Sequence, residues 1–192
     1  MQNKAIFLDR DGTINIDKHY LYRIEDFEFV PGTLKGLRML YEAGYKLILI
    51  TNQSGIARGY FSEEDYQTLN SWLQQRLVEN NSPLTASYYC PHLPDANIVE
   101  YKMNCECRKP KLGLFMKAVK DWDIDLSLSY AIGDRLRDCS ICNSSNCQGF
   151  LVGNTEDNQD IEKVKSCEIK NIRYAQDLLQ AANIICGLVN NR

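Results

Sequence analysis

The sequence predicts an α/β fold, a central parallel sheet with helices on both faces, built as one domain over residues 1–192. Three observations carry this. Apolar runs of strand length alternate with segments of helical periodicity, the pattern of a parallel sheet wrapped by crossover helices. Several of the apolar runs stop at Asp, Thr or Gly-Asp, as strands do when they feed loops at one edge of a sheet. No internal repeat, low-complexity tract or linker divides the chain.

Taken in order, Ala5 to Leu8 is a short buried strand ending in Asp9-Arg10-Asp11-Gly12-Thr13. Pro31-Gly32-Thr33 opens a helix with Leu34, Leu37, Leu40 and Tyr41 on one face, closed by Gly44. Tyr45 to Ile50 is a second buried strand leading to Thr51-Asn52-Gln53-Ser54-Gly55. Ser62-Glu63-Glu64-Asp65 has the form of a helix N-cap, and Tyr66, Leu69, Leu73 and Leu77 follow at helical spacing until Asn80 to Pro83 breaks the pattern. A third strand over Thr85 to Tyr89 precedes an irregular stretch to Pro110, too long for an ordinary loop unless something holds it. A helix from about Leu112 to Trp122 is followed by a strand over Tyr130 to Ile132 that ends in Gly133-Asp134. A short helix near Asp138 to Ser145, a strand over Phe150 to Val152 and a helix from about Tyr174 to Gly187 complete the expected series.

Composition narrows the function. The chain has 192 residues, 44% of them hydrophobic and 24% charged, as in an ordinary globular domain. A net charge of −3 without a basic run argues against a nucleic-acid surface, polynucleotide substrates included. No apolar stretch approaches the roughly 20 residues that span a bilayer. The segment from Met1 enters a strand almost at once and has no signal-peptide pattern, so a cytoplasmic monomer is expected.

Asp9 and Asp11 stand two apart at the end of the first strand, so their side chains project to the same side. One carboxylate can serve as nucleophile and the other as general acid and base. A phosphate ester is anionic and repels both, so the pair calls for a hard cation, and Asp134 at the end of another strand supplies a further oxygen ligand. Thr51 offers a hydroxyl, and the backbone N–H groups after it are available to phosphoryl oxygens; Lys109 offers a fixed positive charge, and Asp138 can orient it. Each of these has a plain alternative, since Asp-Gly is commonly a turn and a lone Lys is commonly solvated.

Phe7-Leu8-Asp9-Arg10-Asp11-Gly12-Thr13, the strand-end Thr51-Asn52, Lys109, and Gly133-Asp134 with Asp138 four residues on resemble, in order, the four motifs of the haloacid dehalogenase superfamily. The resemblance spans nearly the whole chain. It implies a Rossmann-like domain without a large cap, in which Asp9 becomes phosphorylated. Asp11 protonates the leaving oxygen and then activates water. Mg²⁺ is held by Asp9, the backbone carbonyl of Asp11 and Asp134. Asp11 favours phosphoryl chemistry, because the dehalogenases lack a carboxylate there.

Cys90-Pro91-His92 and, after a gap of twelve residues, Cys105-Glu106-Cys107 provide three thiolates and an imidazole, a full tetrahedral set for a structural Zn²⁺ over about residues 90–107. Such a metal would set the position of Arg108 and Lys109. Cys139, Cys142 and Cys147 read as core or surface thiols, and Cys167 and Cys186 stand apart. This loop and Thr51-Asn52-Gln53-Ser54-Gly55-Ile56-Ala57-Arg58-Gly59 resemble the heptose 1,7-bisphosphate phosphatases within the superfamily. The histidinol-phosphate phosphatases are the enzyme alternative, with a shorter gap and an Asp where Ser54 stands. A metal-stabilised binding module without activity is the non-enzyme alternative. The heptose resemblance implies removal of a sugar 7-phosphate in ADP-heptose and lipopolysaccharide core synthesis. It places contacts to a small phosphorylated sugar at Asp17, Tyr20, Asn52, Gln53, Ser54, Arg108 and Arg135. The chain departs from that pattern at His19, where Gly precedes the Tyr, and at Arg135, where Lys is common.

Overall fold

Six parallel strands form one sheet in the order β3-β2-β1-β4-β5-β6 in this computed structural model, which describes residues 2–153, 159–166 and 169–190. The strands are β1 (Ala5–Leu8), β2 (Lys46–Asn52), β3 (Ala86–Cys90), β4 (Tyr130–Gly133), β5 (Gln148–Val152) and β6 (Ile172–Ala175). The helices are α1 (Thr33–Glu42), α2 (Ser54–Arg58), α3 (Glu63–Glu79), α4 (Gly113–Trp122), α5 (Gln159–Lys165) and α6 (Leu178–Asn190).

The two-residue period of the strands sorts the core into two layers. Ile6, Leu8, Leu47 and Leu49 face one side with Leu37 and Leu40 of α1, Leu73 and Leu77 of α3 and Ile185 of α6. Ala5, Phe7, Ile48 and Ile50 face the other with Leu114, Phe115 and Ala118 of α4 and Ile161 and Val164 of α5. Helix α3 begins as its sequence requires: the Ser62 hydroxyl accepts from Asp65 N–H at 3.0 Å, and the Asp65 carboxylate accepts from Ser62 N–H at 2.8 Å.

Several expected elements shift. Tyr174, expected to start the last helix, lies in β6, and the helix begins at Leu178. The helix expected over Asp138 to Ser145 is a run of 3-10 geometry over Leu136–Asn143. Helices α2 and α5 had no counterpart in the sequence pattern. Cys139, Cys142 and Cys147 are fully buried, as core thiols should be, whereas Cys167 lies outside the described residues. Among the described residues no helix is long and apolar enough to cross a membrane.

The strand order positions the site. The chain moves outward from β1 through β2 to β3, then returns to the other side of β1 for β4. The crevice at that reversal, beyond the carboxyl ends of β1 and β4, is where open α/β sheets bind ligands.

Candidate active site

Leu8 pairs with Ile132, and Asp9 N–H continues the ladder by donating to the Ile132 carbonyl at 3.0 Å. Asp9 therefore leaves the sheet at its carboxyl edge, with Asp134 just beyond the neighbouring strand β4. The turn that follows depends on glycine. Gly12 has φ of +83°, and a Cβ there would lie 2.6 Å from Asp134 Oδ2. Gly133 is equally constrained, because a side chain there would clash with Asp138 Cβ.

Lys109 is the centre of charge. Its ammonium donates to Asp9 Oδ1 at 2.6 Å and to the Ile50 carbonyl at 2.6 Å, and pairs with Asp138 Oδ1 at 2.7 Å. Two of these contacts are hydrogen bonds, and the Asp138 carboxylate adds an ion pair. Asp9, Lys109 and Asp138 are 7%, 3% and 3% exposed, so these charges sit almost out of water. Burial lowers the Lys109 pKa, but the Asp138 and Asp9 carboxylates outweigh it and hold the group protonated.

Carboxylates outnumber that single cation. Oxygens of Asp9, Asp134 and Asp138 lie within 4.8 Å of one another. Burial, opposed by Lys109 but reinforced by Asp138 and Asp11, pushes the Asp9 pKa up to about 6. Burial, with Asp9 and Asp138 adding to it, pushes Asp134 up to about 8. Such a crowded set is energetically poor on its own and suits a hard divalent cation with oxygen ligands.

A cleft of about 250 Å³ opens over these groups. Ten residues line it; we term Asp9, Asp11, Thr51, Lys109, Asp134 and Asp138 its floor, and Asp17, Asn52, Arg135 and Arg137 its wall. Of the substrate contacts expected from sequence, Asp17, Asn52 and Arg135 thus reach the cleft, whereas Tyr20, Gln53, Ser54 and Arg108 are not on its wall. Gln53 is buried instead, its amide donating to Asp11 Oδ2 at 3.1 Å and Thr51 Oγ1 at 3.0 Å. Tyr20 sits edge-on to Tyr60 at 4.7 Å, Ser54 begins α2, and Arg108 donates to the His92 carbonyl at 3.3 Å.

Asn52 does something the sequence did not disclose. Its Oδ1 accepts from Lys109 N–H at 3.0 Å, and its Nδ2 donates to the Lys109 carbonyl at 3.1 Å. The last residue of β2 therefore clamps the backbone of the central lysine. Arg137 on the cleft wall was also unforeseen, since nothing in its spacing separates it from a solvated charge.

Cys90, His92, Cys105 and Cys107 come together as their spacing predicts. Cys90 ends β3, paired with Asn52. The Cys90, Cys105 and Cys107 sulfurs are 3.1–3.5 Å apart, and His92 Nδ1 is 3.2 Å from Cys107 Sγ and 3.8 Å from Cys90 Sγ. These separations are too long for a disulfide of about 2.05 Å. They are close to the ~3.8 Å edge of a tetrahedron with metal–sulfur bonds of about 2.3 Å. Among the described residues this group and the Asp9 group are the two sets able to hold a metal ion.

A family model described as polynucleotide kinase 3 phosphatase matches residues 4–163. The D-glycero-beta-D-manno-heptose-1,7-bisphosphate 7-phosphatase of Haemophilus ducreyi is 52% identical over 139 residues, 72% of this chain and 76% of the relative. The Yersinia pestis protein of the same name is 43% identical over 142 residues, 74% and 76% of the two chains. Among solved structures, D,D-heptose 1,7-bisphosphate phosphatase from B. bronchiseptica, complexed with magnesium and phosphate, superposes with a TM-score of 0.81 at 28% identity, covering 98% of this chain and 99% of that one. The chain is a phosphatase of the haloacid dehalogenase superfamily, matched by the polynucleotide kinase 3 phosphatase model, and belongs to the family of the heptose-1,7-bisphosphate 7-phosphatases.

Proposed function

We propose that this chain removes the 7-phosphate of D-glycero-D-manno-heptose 1,7-bisphosphate through a phosphorylated Asp9. The observation that carries the reading is the buried Asp9–Lys109–Asp138 cluster, open to a cleft whose wall bears Arg135 and Arg137. Asp9 Oδ attacks phosphorus, with Lys109 steadying the charge that develops. The bond to the sugar oxygen breaks as that oxygen takes a proton from Asp11. Asp11 then takes a proton from water, whose oxygen attacks phosphorus and frees Asp9 and inorganic phosphate.

Asp9, Asp134 and the backbone carbonyl of Asp11 would hold Mg²⁺, which supplies charge neutralisation and orientation of the phosphoryl group. The excess of buried carboxylates over ammonium supports this. Cys90, His92, Cys105 and Cys107 would hold a structural Zn²⁺; with all four positions filled by protein, its role is to set the loop carrying Arg108 and Lys109. Arg135 and Arg137 would meet the phosphate that is not cleaved. The product belongs to ADP-heptose synthesis for the lipopolysaccharide core, and the enzyme works as a cytoplasmic monomer.

The test is a comparison of kcat/KM for both anomers of the heptose bisphosphate, histidinol phosphate and a 3′-phosphorylated oligonucleotide. A heptose bisphosphate should lead by at least about tenfold. Faster hydrolysis of histidinol phosphate or of the oligonucleotide would replace the proposed substrate.

A further inference from the structure

Arg10 lies between the two central aspartates, and its side chain is 1% exposed. It wraps around Asp11. Nε donates to Asp11 Oδ1 at 3.2 Å, and Nη2 reaches Oδ1 at 3.1 Å and Oδ2 at 3.0 Å. Nη2 also donates to the Leu21 carbonyl at 2.8 Å and to Gln53 Oε1 at 3.3 Å. Gln53 Nε2 completes the ring on Asp11 Oδ2, and Asn15 Nδ2 donates to Oδ1 at 3.0 Å. The Tyr66 ring, 5.8 Å from the guanidinium carbon, backs the arginine.

Every cradle group within hydrogen-bond distance of the Asp11 carboxylate is a donor. The open side of Asp11 faces the cleft. The guanidinium and amide N–H groups on that carboxylate offer it no acceptor, which leaves the cleft side for exchange with a ligand.

We propose that Arg10 and Gln53 are positioning residues that fix the direction in which Asp11 exchanges its proton with the leaving oxygen. The inference rests on the reading of Asp11 as general acid and base. In the first step the proton passes from Asp11 to the leaving oxygen while the phosphorus–oxygen bond to the sugar breaks and the bond to Asp9 forms. The cradle then receives the Asp11 anion, held ready to take a proton from water. A tie between Arg10 and Leu21 that served the loop alone would have no preference among leaving groups. Positioning of a proton donor does, because a good leaving group departs without a proton.

Arg10→Lys keeps the charge but loses the planar fork. With saturating Mg²⁺, its kcat/KM should fall about 100-fold on an alkyl phosphate such as the heptose bisphosphate. On 4-nitrophenyl phosphate the loss should stay within about threefold. Gln53→Met, which leaves the guanidinium in place, should show the same selectivity at about a tenfold loss and decides the matter if Arg10→Lys does not fold. Equal losses on both substrates, or full activity on the alkyl phosphate, would overturn the proposal. Asp11→Asn separates the two layers. If it shows no dependence on the leaving group, the acid–base reading fails and the positioning role with it. If it shows that dependence while Arg10→Lys and Gln53→Met do not, the positioning role alone is wrong.

Discussion

The floor and the wall of the cleft differ in burial and in partners. On the floor, Asp9, Lys109 and Asp138 are nearly dry and fixed by contacts of 2.6–2.7 Å. On the wall, the side chains of Arg135 and Arg137 are 48% and 50% exposed, with ion pairs of 3.4 and 3.9 Å. Buried charges interact strongly, and stripping one of its compensating charge is costly. Exposed ones are screened and adaptable. In the proposed reading chemistry is therefore built into the fold and recognition laid over it, and substitutions should separate the two.

The largest effect belongs to the floor. Asp9→Asn should lower kcat by more than about 10⁴-fold while the protein keeps its fold and the metal of the cysteine loop. Measurable turnover within tenfold of the parent would show that the nucleophile lies elsewhere. Lys109→Met should be as inactive and also unstable, because it leaves Asp9 and Asp138 buried without their cation. A loss of about 3–5 kcal/mol in denaturant unfolding is expected. An unchanged midpoint would mean that the cluster is wetter than its burial indicates.

Next comes the loop behind the floor. Cys105→Ser should release zinc and lower kcat by about tenfold to a hundredfold, acting through the Cys107-Arg108-Lys109 connection. Loss of zinc with no loss of rate would separate the loop from Lys109.

A milder signature is pH dependence without divalent cation. Asp9 and Asp134 have pKa values raised from 3.8 to about 6 and about 8 in the folded protein. The folded state thus binds more protons than the unfolded chain between these values, so their contribution to stability is full below about pH 4 and declines up to about pH 8. Thermal melting in chelator should follow that fall, and Mg²⁺ should reverse it most strongly at the alkaline end. A Mg²⁺ effect independent of pH would contradict the assignment of these carboxylates to the cation.

The smallest effect belongs to the wall. Arg137→Ala should raise KM for the bisphosphate by about tenfold with kcat nearly unchanged, and should leave a substrate with a single phosphate unaffected. A fall in kcat instead would move Arg137 into the chemistry.

The same division decides how much could be seen in the sequence. Strands β1, β2 and β4 and helices α1, α3 and α4 were legible because each carries a period or a cap strong enough to stand alone. Strand β6 was not: its four residues, buried at Ile172 and Ala175 with Arg173 exposed, run into the apolar pattern of α6. Helix α2, at five residues, is too short to show a period. In the site, Asp9, Thr51 and Asp134 are legible because they stand at strand ends, and Lys109, in the connection between β3 and α4, through its place in the motif series. The Cys90, His92, Cys105 and Cys107 cluster is legible because its donor chemistry is unusual. Arg10, Asn15 and the clamp at Asn52 were not visible, since their roles depend on hydrogen bonds across folded loops that no local spacing encodes. Gln53, expected at the substrate, also donates to Asp11 Oδ2 at 3.1 Å, a contact that no local spacing encodes.

The central claim is that Asp9 carries the phosphoryl group between the two steps. Asp11→Asn protein mixed with 4-nitrophenyl phosphate and Mg²⁺ should form the phosphorylated enzyme without needing a proton donor, and should hydrolyse it slowly. Rapid acid quenching, proteolysis and mass spectrometry should then place one phosphoryl group on Asp9. A quenched enzyme without phosphate, or with the label on any other residue, would contradict the account.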